Sequence, residues 1–279
     1  MTEYGQTSPT LVLGGTGKTG RRVAQRLTGL DLPVRIGTRA GGVPFDWEDP
    51  QTWERALDGM KAVYVSYYPD LAAPGAAEAI ASFAELAVDR GARRLVLLSG
   101  RGEIEARTCE KALTDSGADA TILRSSWFSQ NFSESYLLGP VLGGQVFLPA
   151  GDVPEPFVDA DDIADVAVAA LTQPGHVGKV YELTGPRALT FAEAVAAIGD
   201  AAGRDIDYVQ VPAADYAAAL AAEKVPDDVV ELLMYLFTTV LDGRNATPGD
   251  GVQRALGRTP VDFTDFAART AATGTWNVG

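Results

Sequence analysis

In the first half of the chain, short apolar and β-branched runs alternate with longer stretches whose apolar residues recur every three or four positions. The runs at 10–13, 34–38, 62–66, 95–99 and 121–124 each predict a strand buried on both faces. Between them, Val23, Leu27 and Leu30 share a helical stripe, and Asp49-Pro50 predicts the N-cap and first turn of a helix holding Trp53 and Leu57. A further helix is predicted over 74–90, with Gly91 suited to close it. This alternation predicts βαβ units on a parallel sheet, hence an α/β, Rossmann-type doubly wound fold.

Beyond Arg124 the pattern loosens. A helical segment at 128–138 precedes a strand at 145–148, an acidic loop and a helix at 161–171. Strands are predicted at 180–183 and 206–211, and alanine-rich helices at 191–202, 213–222, 227–241 and 263–272. The expected organisation is a NAD(P)-binding Rossmann domain at 1–150, to which 156–185 returns, and a smaller, mainly helical substrate lobe at 186–279. With no internal repeat and no Pro/Ser-rich linker, the two are expected to pack around a cleft.

Composition narrows the chemistry. The 279 residues carry 23 lysines and arginines against 37 aspartates and glutamates, a formal charge of −14, which repels polyphosphate backbones and excludes ordinary nucleic-acid binding. A single cysteine, Cys109, forms no internal disulfide, and a single histidine, His176, builds no Cys/His zinc site. Asp159, Asp161, Asp162 and Asp165 lack the calcium-loop spacing, so no metal is expected there, only helix capping on a solvated face. Cys109 reads as a small buried group and His176 as a surface loop residue. Residues 1–10 carry no basic segment leading into an apolar core, and no apolar run reaches the roughly 18 residues of a membrane span. A cytoplasmic protein, without membrane partners, is expected.

The strongest local signal is Gly14-Gly15-Thr16-Gly17-Lys18-Thr19-Gly20, placed where a strand passes into a helix. Gly14 permits the tight turn, Gly17 lets backbone N–H groups approach a pyrophosphate, and Gly20 permits close helix packing. An NTPase phosphate loop would need glycine at position 12, where Val12 stands. At the end of the second strand, Thr38 and Arg39 stand where a carboxylate would select NAD. The fork of Arg39 suits a 2′-phosphate, so NADP (NADPH) is expected in preference to NAD. Asp46 is a candidate acceptor for the adenine amino group, and Ser66 and Ser99 end the strands nearest the switch point.

Together with Phe45-Asp46-Trp47, Leu97-Leu98-Ser99, Thr121-Ile122-Leu123-Arg124, Trp127-Phe128, Asn131 and Pro156-Phe157-Val158-Asp159 through Ile163, this loop resembles the NmrA-like branch of the atypical short-chain dehydrogenases, with its isoflavone-reductase-like and ergot-alkaloid iminium-reductase relatives. The resemblance runs along most of the chain. It implies a small C-terminal lobe closing over substrate, with Trp127, Phe128 and Asn131 bordering nicotinamide and substrate.

The classical Tyr-x-x-x-Lys acid is missing: no tyrosine occurs between Tyr68 and Tyr136. Hydride added to a simple ketone leaves a strongly basic alkoxide that demands a proton, whereas an iminium carbon, a quinone or an extended enone tolerates hydride without a dedicated acid. The expected activity is therefore NADP-dependent reduction of a small organic acceptor: iminium, quinone-like or conjugated carbonyl. Tyr68, just past the fourth strand, is the candidate acid; Tyr67 and Tyr136 read as packing. Ser125 and Ser126 lack a nucleophile elbow. Tyr208, Tyr216, Met234, Tyr235 and Phe237 read first as core at helical spacing. The alternative is a non-catalytic NADP-binding redox sensor acting through a protein partner.

Overall fold

A computed structural model describes residues 9–39 and 42–278. The reading of a missing leader therefore rests largely on positions outside the described residues. In chain order the elements are β1 (Thr10–Leu13), α1 (Lys18–Gly29), β2 (Val34–Thr38), β3 (Val43–Pro44), α2 (Trp53–Leu57), β4 (Ala62–Val65), α3 (Ala76–Asp89), β5 (Arg94–Gly100), α4 (Ile104–Asp115) and β6 (Asp119–Ser125). They continue with α5 (Asn131–Glu134), α6 (Leu138–Gly143), β7 (Gln145–Leu148), α7 (Ala160–Thr172), β8 (Val180–Leu183), α8 (Phe191–Ala202), β9 (Asp207–Gln210), α9 (Ala213–Ala222), α10 (Asp227–Tyr235), α11 (Gly251–Leu256) and α12 (Phe263–Ala272).

The chain divides into two compact units. The first, 1–125 with 160–183 and 250–258, holds a seven-stranded sheet in the order β3-β2-β1-β4-β5-β6-β8. Every strand pair in it is parallel. Winding reverses between β1 and β4, and that reversal opens a crevice at their C-terminal ends. Alternation does the packing: Leu11, Leu13, Val63, Val65, Leu95 and Leu97 join one core with Ile80, Phe83 and Leu113, while the intervening Val12, Tyr64 and Val96 are equally buried on the opposite face. α1 and α7 pack together, as do α3 and α4.

The second unit, 126–159 with 184–249 and 259–279, has its own core and a two-stranded parallel sheet of β7 and β9. The expected boundary at 150 is corrected to Ser125, because Phe132, Leu137, Val141, Val146 and Leu148 bury themselves in the second core. The expected 186–279 lobe likewise gives up residues 250–258 to the first unit. A Cβ on Gly251 would meet the Glu182 carbonyl oxygen at 2.4 Å, and Arg258 reaches Asp162 and Asp165 at 2.6 Å each.

Three other expectations change. The helix expected over 128–138 is two short ones, α5 and α6. His176 is buried, its Nδ1 2.9 Å from the Tyr181 hydroxyl, and burial lowers its pKa. The solvated face holds only in part: Asp162 is fully buried against Arg258 and Asp159 is 1% exposed between Gln130 and Arg269, whereas Asp161 and Asp165, paired with Arg26, each keep 36% of the side chain exposed. Arginines answer their charge.

Candidate functional site

The glycine loop crosses from β1 into α1 with Gly14 at φ +63°, and the Gly17 amide donates to the Gly14 carbonyl at 2.8 Å. Gly17 caps the helix without a side-chain acceptor. Gly20 packs so closely that its Cβ would lie 2.2 Å from the Gly14 oxygen, and a Cβ on Gly15 would lie 2.6 Å from Ile36. Only hydrogen atoms at these positions let α1 begin hard against the turn. Thr16 and Gly17 are exposed and Lys18 half-buried, whereas Thr19 is buried and turns inward. The exposed loop thus presents main-chain N–H groups at the positive end of a helix dipole.

Around it stand the ends of β2 and β4. Ser66 lies 3.4 Å from where a Gly14 Cβ would be, beside the glycine turn. Its carbonyl accepts from Trp47 Nε1 at 3.1 Å, which ties the segment after β3 to the end of β4. Trp47 also packs on Tyr67 at 4.9 Å and edge-on to Phe45 at 5.0 Å. Asp46 is half-buried, and its carboxylate accepts from the Glu48 amide at 3.1 Å. Arg39 is exposed and lies over the ring of Tyr68, its guanidinium carbon 4.7 Å from the centroid. The structure thereby joins two residues the sequence treated separately. A cation–π platform holds the fork of Arg39 beside the end of β2, where Thr38 is half-buried.

Ser99 does not join this group. Its hydroxyl is buried and donates to Glu110 at 2.7 Å; Glu110 in turn accepts from Arg124 at 2.6 Å, and Arg124 and Arg101 both pair with Glu182. These charges hold α4, β6 and β8 together. In the second unit, the half-buried Trp127 packs on Phe191 at 5.3 Å and Phe237 at 4.9 Å, and Phe237 meets Tyr216 at 5.7 Å. Phe128 bridges to Val158, and Asn131, half-buried, opens α5. The Tyr136 hydroxyl is buried, and burial raises its pKa well above the ordinary value.

Residues 107–265, more than half of the chain, match the NmrA-like family. The chain belongs to that family. An uncharacterized oxidoreductase of Bacillus subtilis, YesF, is 32% identical over 95% of this chain and 96% of its own length. Agroclavine dehydrogenase of Claviceps fusiformis is 30% identical over 92% and 96%. Among solved structures, the NADPH complex of an NADPH-dependent quinone oxidoreductase from Escherichia coli superposes with a TM-score of 0.74 at 23% identity, covering 94% of this chain and 99% of that one. NmrA, a negative transcriptional regulator solved with NAD, gives 0.74 at 14% identity, covering 97% of each. At such identities the structural likenesses speak for the fold. The glycine loop of this NmrA-like chain lies outside the segment matched to the family, so the geometry above is independent support.

One cluster escaped the sequence reading. Glu103, 7% exposed, follows β5, and Asp70 follows β4; the two carboxyl groups interact out of water. Burial first, then the charge of Asp70, pushes Glu103 up to about 9, and burial raises Asp70 as well. Burial and the same carboxylates push the neighbouring Cys109 thiol up to about 11. The Gly-Arg-Gly-Glu segment reads as an ordinary exposed turn; a glutamate three residues beyond a strand-ending glycine carries no motif that would have found it.

Proposed function

We propose that this chain is an NAD(P)H-dependent reductase that prefers NADPH and delivers hydride to a small organic acceptor of the iminium, quinone-like or conjugated-carbonyl class. The observation that carries this reading is the crevice at the β1–β4 reversal: an exposed glycine turn feeding a helix N-terminus, flanked by Arg39 on its tyrosine platform. The donor set fits a dinucleotide. The Gly14, Thr16, Gly17 and Lys18 segment would hold the pyrophosphate, with Thr19 and Gly20 setting its backing. Arg39 and Thr38 would hold a 2′-phosphate, Asp46 and Ser66 the adenosine side of the crevice. Tyr68 we assign as the support for Arg39 rather than as an acid, since its ring lies under the guanidinium. Ser99 acts behind the site through Glu110.

Bound NADPH supplies the hydride, and the protein's work is then largely proximity and orientation. The oxidoreductase relatives support a reductase, and the aromatic group around Trp127 supports an apolar substrate, with Phe128 and Asn131 beside it. Among the described residues no helix is long and apolar enough to cross a membrane.

The test has two arms. Arg39→Asp should weaken NADPH binding by at least about tenfold, the scale of one charged hydrogen bond, while leaving NADH binding nearly unchanged. Equal loss for both would refute the phosphate assignment. NADPH consumption should then appear with iminium ions, quinones or enones and be slow with simple ketones. Nucleotide binding without consumption by any acceptor would favour the redox-sensor alternative.

A further inference from the structure

We propose that Glu103, held by Asp70, is the proton donor for the neutral conjugated carbonyls among these acceptors, whose reduction must end in protonation. The proposal rests on the reductase reading above. Its geometry begins with two glycines. Gly102, at φ +85°, folds the chain back so that the Glu103 carboxyl lies against Gly100; a Cβ there would sit 1.9 Å from Oε1 and 2.5 Å from Oε2. Gly100 is the last residue of β5 and pairs in register with Ser125 of β6. The acid therefore stands at the C-terminal ends of the strands, the edge on which doubly wound sheets build their sites.

Asp70 arrives from the end of the adjacent β4 and is fixed by the Ala72 amide, which donates to its Oδ1 at 2.9 Å. Two interacting carboxyl groups taken out of water resist both being ionised, so one of them tends to keep its proton. Oε2 of Glu103 is buried and receives no N–H or O–H bond from the described residues. The groups whose charges reach the pair are Asp70 after β4 and Glu105 at the start of α4. Cys109 of α4 lies beside it, donating to the Leu71 carbonyl at 3.5 Å and sensing both Asp70 and Glu78 of α3. All are acidic or neutral, so the proton on Glu103 persists through neutral pH, consistent with its raised value of about 9. A carboxylic acid that stays protonated at neutral pH has a proton to give.

The step balances without a further reagent. As the β-carbon of a conjugated carbonyl accepts hydride and its electron pair, the π electrons pass to the carbonyl oxygen. The O–H bond of Glu103 breaks, directly or across one water, and an O–H bond forms on the enolate oxygen. The Glu103 carboxylate then regains its proton from water, beside Asp70. An iminium acceptor ends as a neutral amine and needs none of this.

Glu103→Gln, neutral and equal in size, removes the proton while sparing the fold. In the cofactor-free protein the infrared carboxylic-acid carbonyl band should be present at neutral pH, fade as pH passes about 9, and be missing from the variant. Asp70→Asn should shift that fading to lower pH. The variant should lose roughly 100-fold in enone turnover, the scale of one general acid, with iminium reduction and NADPH affinity held within about twofold. An unchanged band, or enone turnover that survives Glu103→Gln, overturns the proposal alone. A parent protein that binds NADPH but consumes none with any acceptor overturns the reductase reading and the proposal together.

Discussion

Replacing Gly20 by alanine puts a methyl group into main chain. Its ideal Cβ lies 2.2 Å from the Gly14 oxygen, 2.7 Å from the Gly14 carbonyl carbon and 3.0 Å from Gly15 Cα. No side-chain rotation relieves contacts made by backbone. Ordinary contact begins at 3.4 Å, so turn and helix must separate by 3.4 − 2.2 = 1.2 Å at the tightest point. Forced insertions cost about 1 to 3 kcal/mol, and a rigid backbone clash belongs at the upper end. Alanine's better helix propensity returns about 1 kcal/mol, leaving a net loss near 2 kcal/mol. Gly29 closes the same helix with nothing within 4 Å of its Cβ, so Gly29→Ala should raise stability by up to about 1 kcal/mol. Urea melts of the pair read the stability difference, and fluorescence titration with NADPH reads the site. A displacement of about 1 Å in the N–H groups of the turn should cost on the order of 100-fold in affinity, while Gly29→Ala binds normally. If Gly20→Ala matched Gly29→Ala in both midpoint and affinity, the cradle described for this loop would be wrong.

Glu110→Ala strands the buried Ser99 hydroxyl and leaves Arg124 with Glu182 alone, at 3.2 Å. It should cost about 3 kcal/mol in urea unfolding, the low end for a broken buried pair because Glu182 remains; an unchanged midpoint would refute the network's role. Arg187→Ala tests a pH limb. Pairing with Arg187 holds Asp262 down at about 2, so the folded carboxyl binds fewer protons than the unfolded one between roughly pH 4 and 2. The contribution is therefore present above pH 4 and lost as pH falls towards 2. Because both side chains are partly exposed it should stay below about 1 kcal/mol. The gap in stability between parent and variant should close on acidification and narrow with added salt; a gap independent of pH would refute the pairing.

What the sequence determined by itself depends on residues a few positions apart. Short apolar runs and helical patterns placed β1, β2, β7, β8 and the helices α8, α9 and α12 at their observed residues, because both signals are set by residues close in the chain. The turn at Gly14 and the lack of Tyr-x-x-x-Lys are local in the same sense. β3 is too short for its two residues to carry a period; its pairing of Val43 with Gly37 fixes its bounds. Six-residue α11 escaped the sequence pattern, and its place in the first unit was decided by Arg258, which reaches Asp165 from 93 residues away. Charged side chains read as solvated until their partners are known, so Asp162 and His176 were misplaced by the same reasoning that placed the glycines. Glu103 shows why. Nothing near it in the chain distinguishes it from a surface acid, and only the alignment of β4 beside β5 brings Asp70 near it and excludes water. Local pattern determines where the backbone turns; desolvation and the pairing of distant charges, which set the chemistry, exist only after the chain has folded.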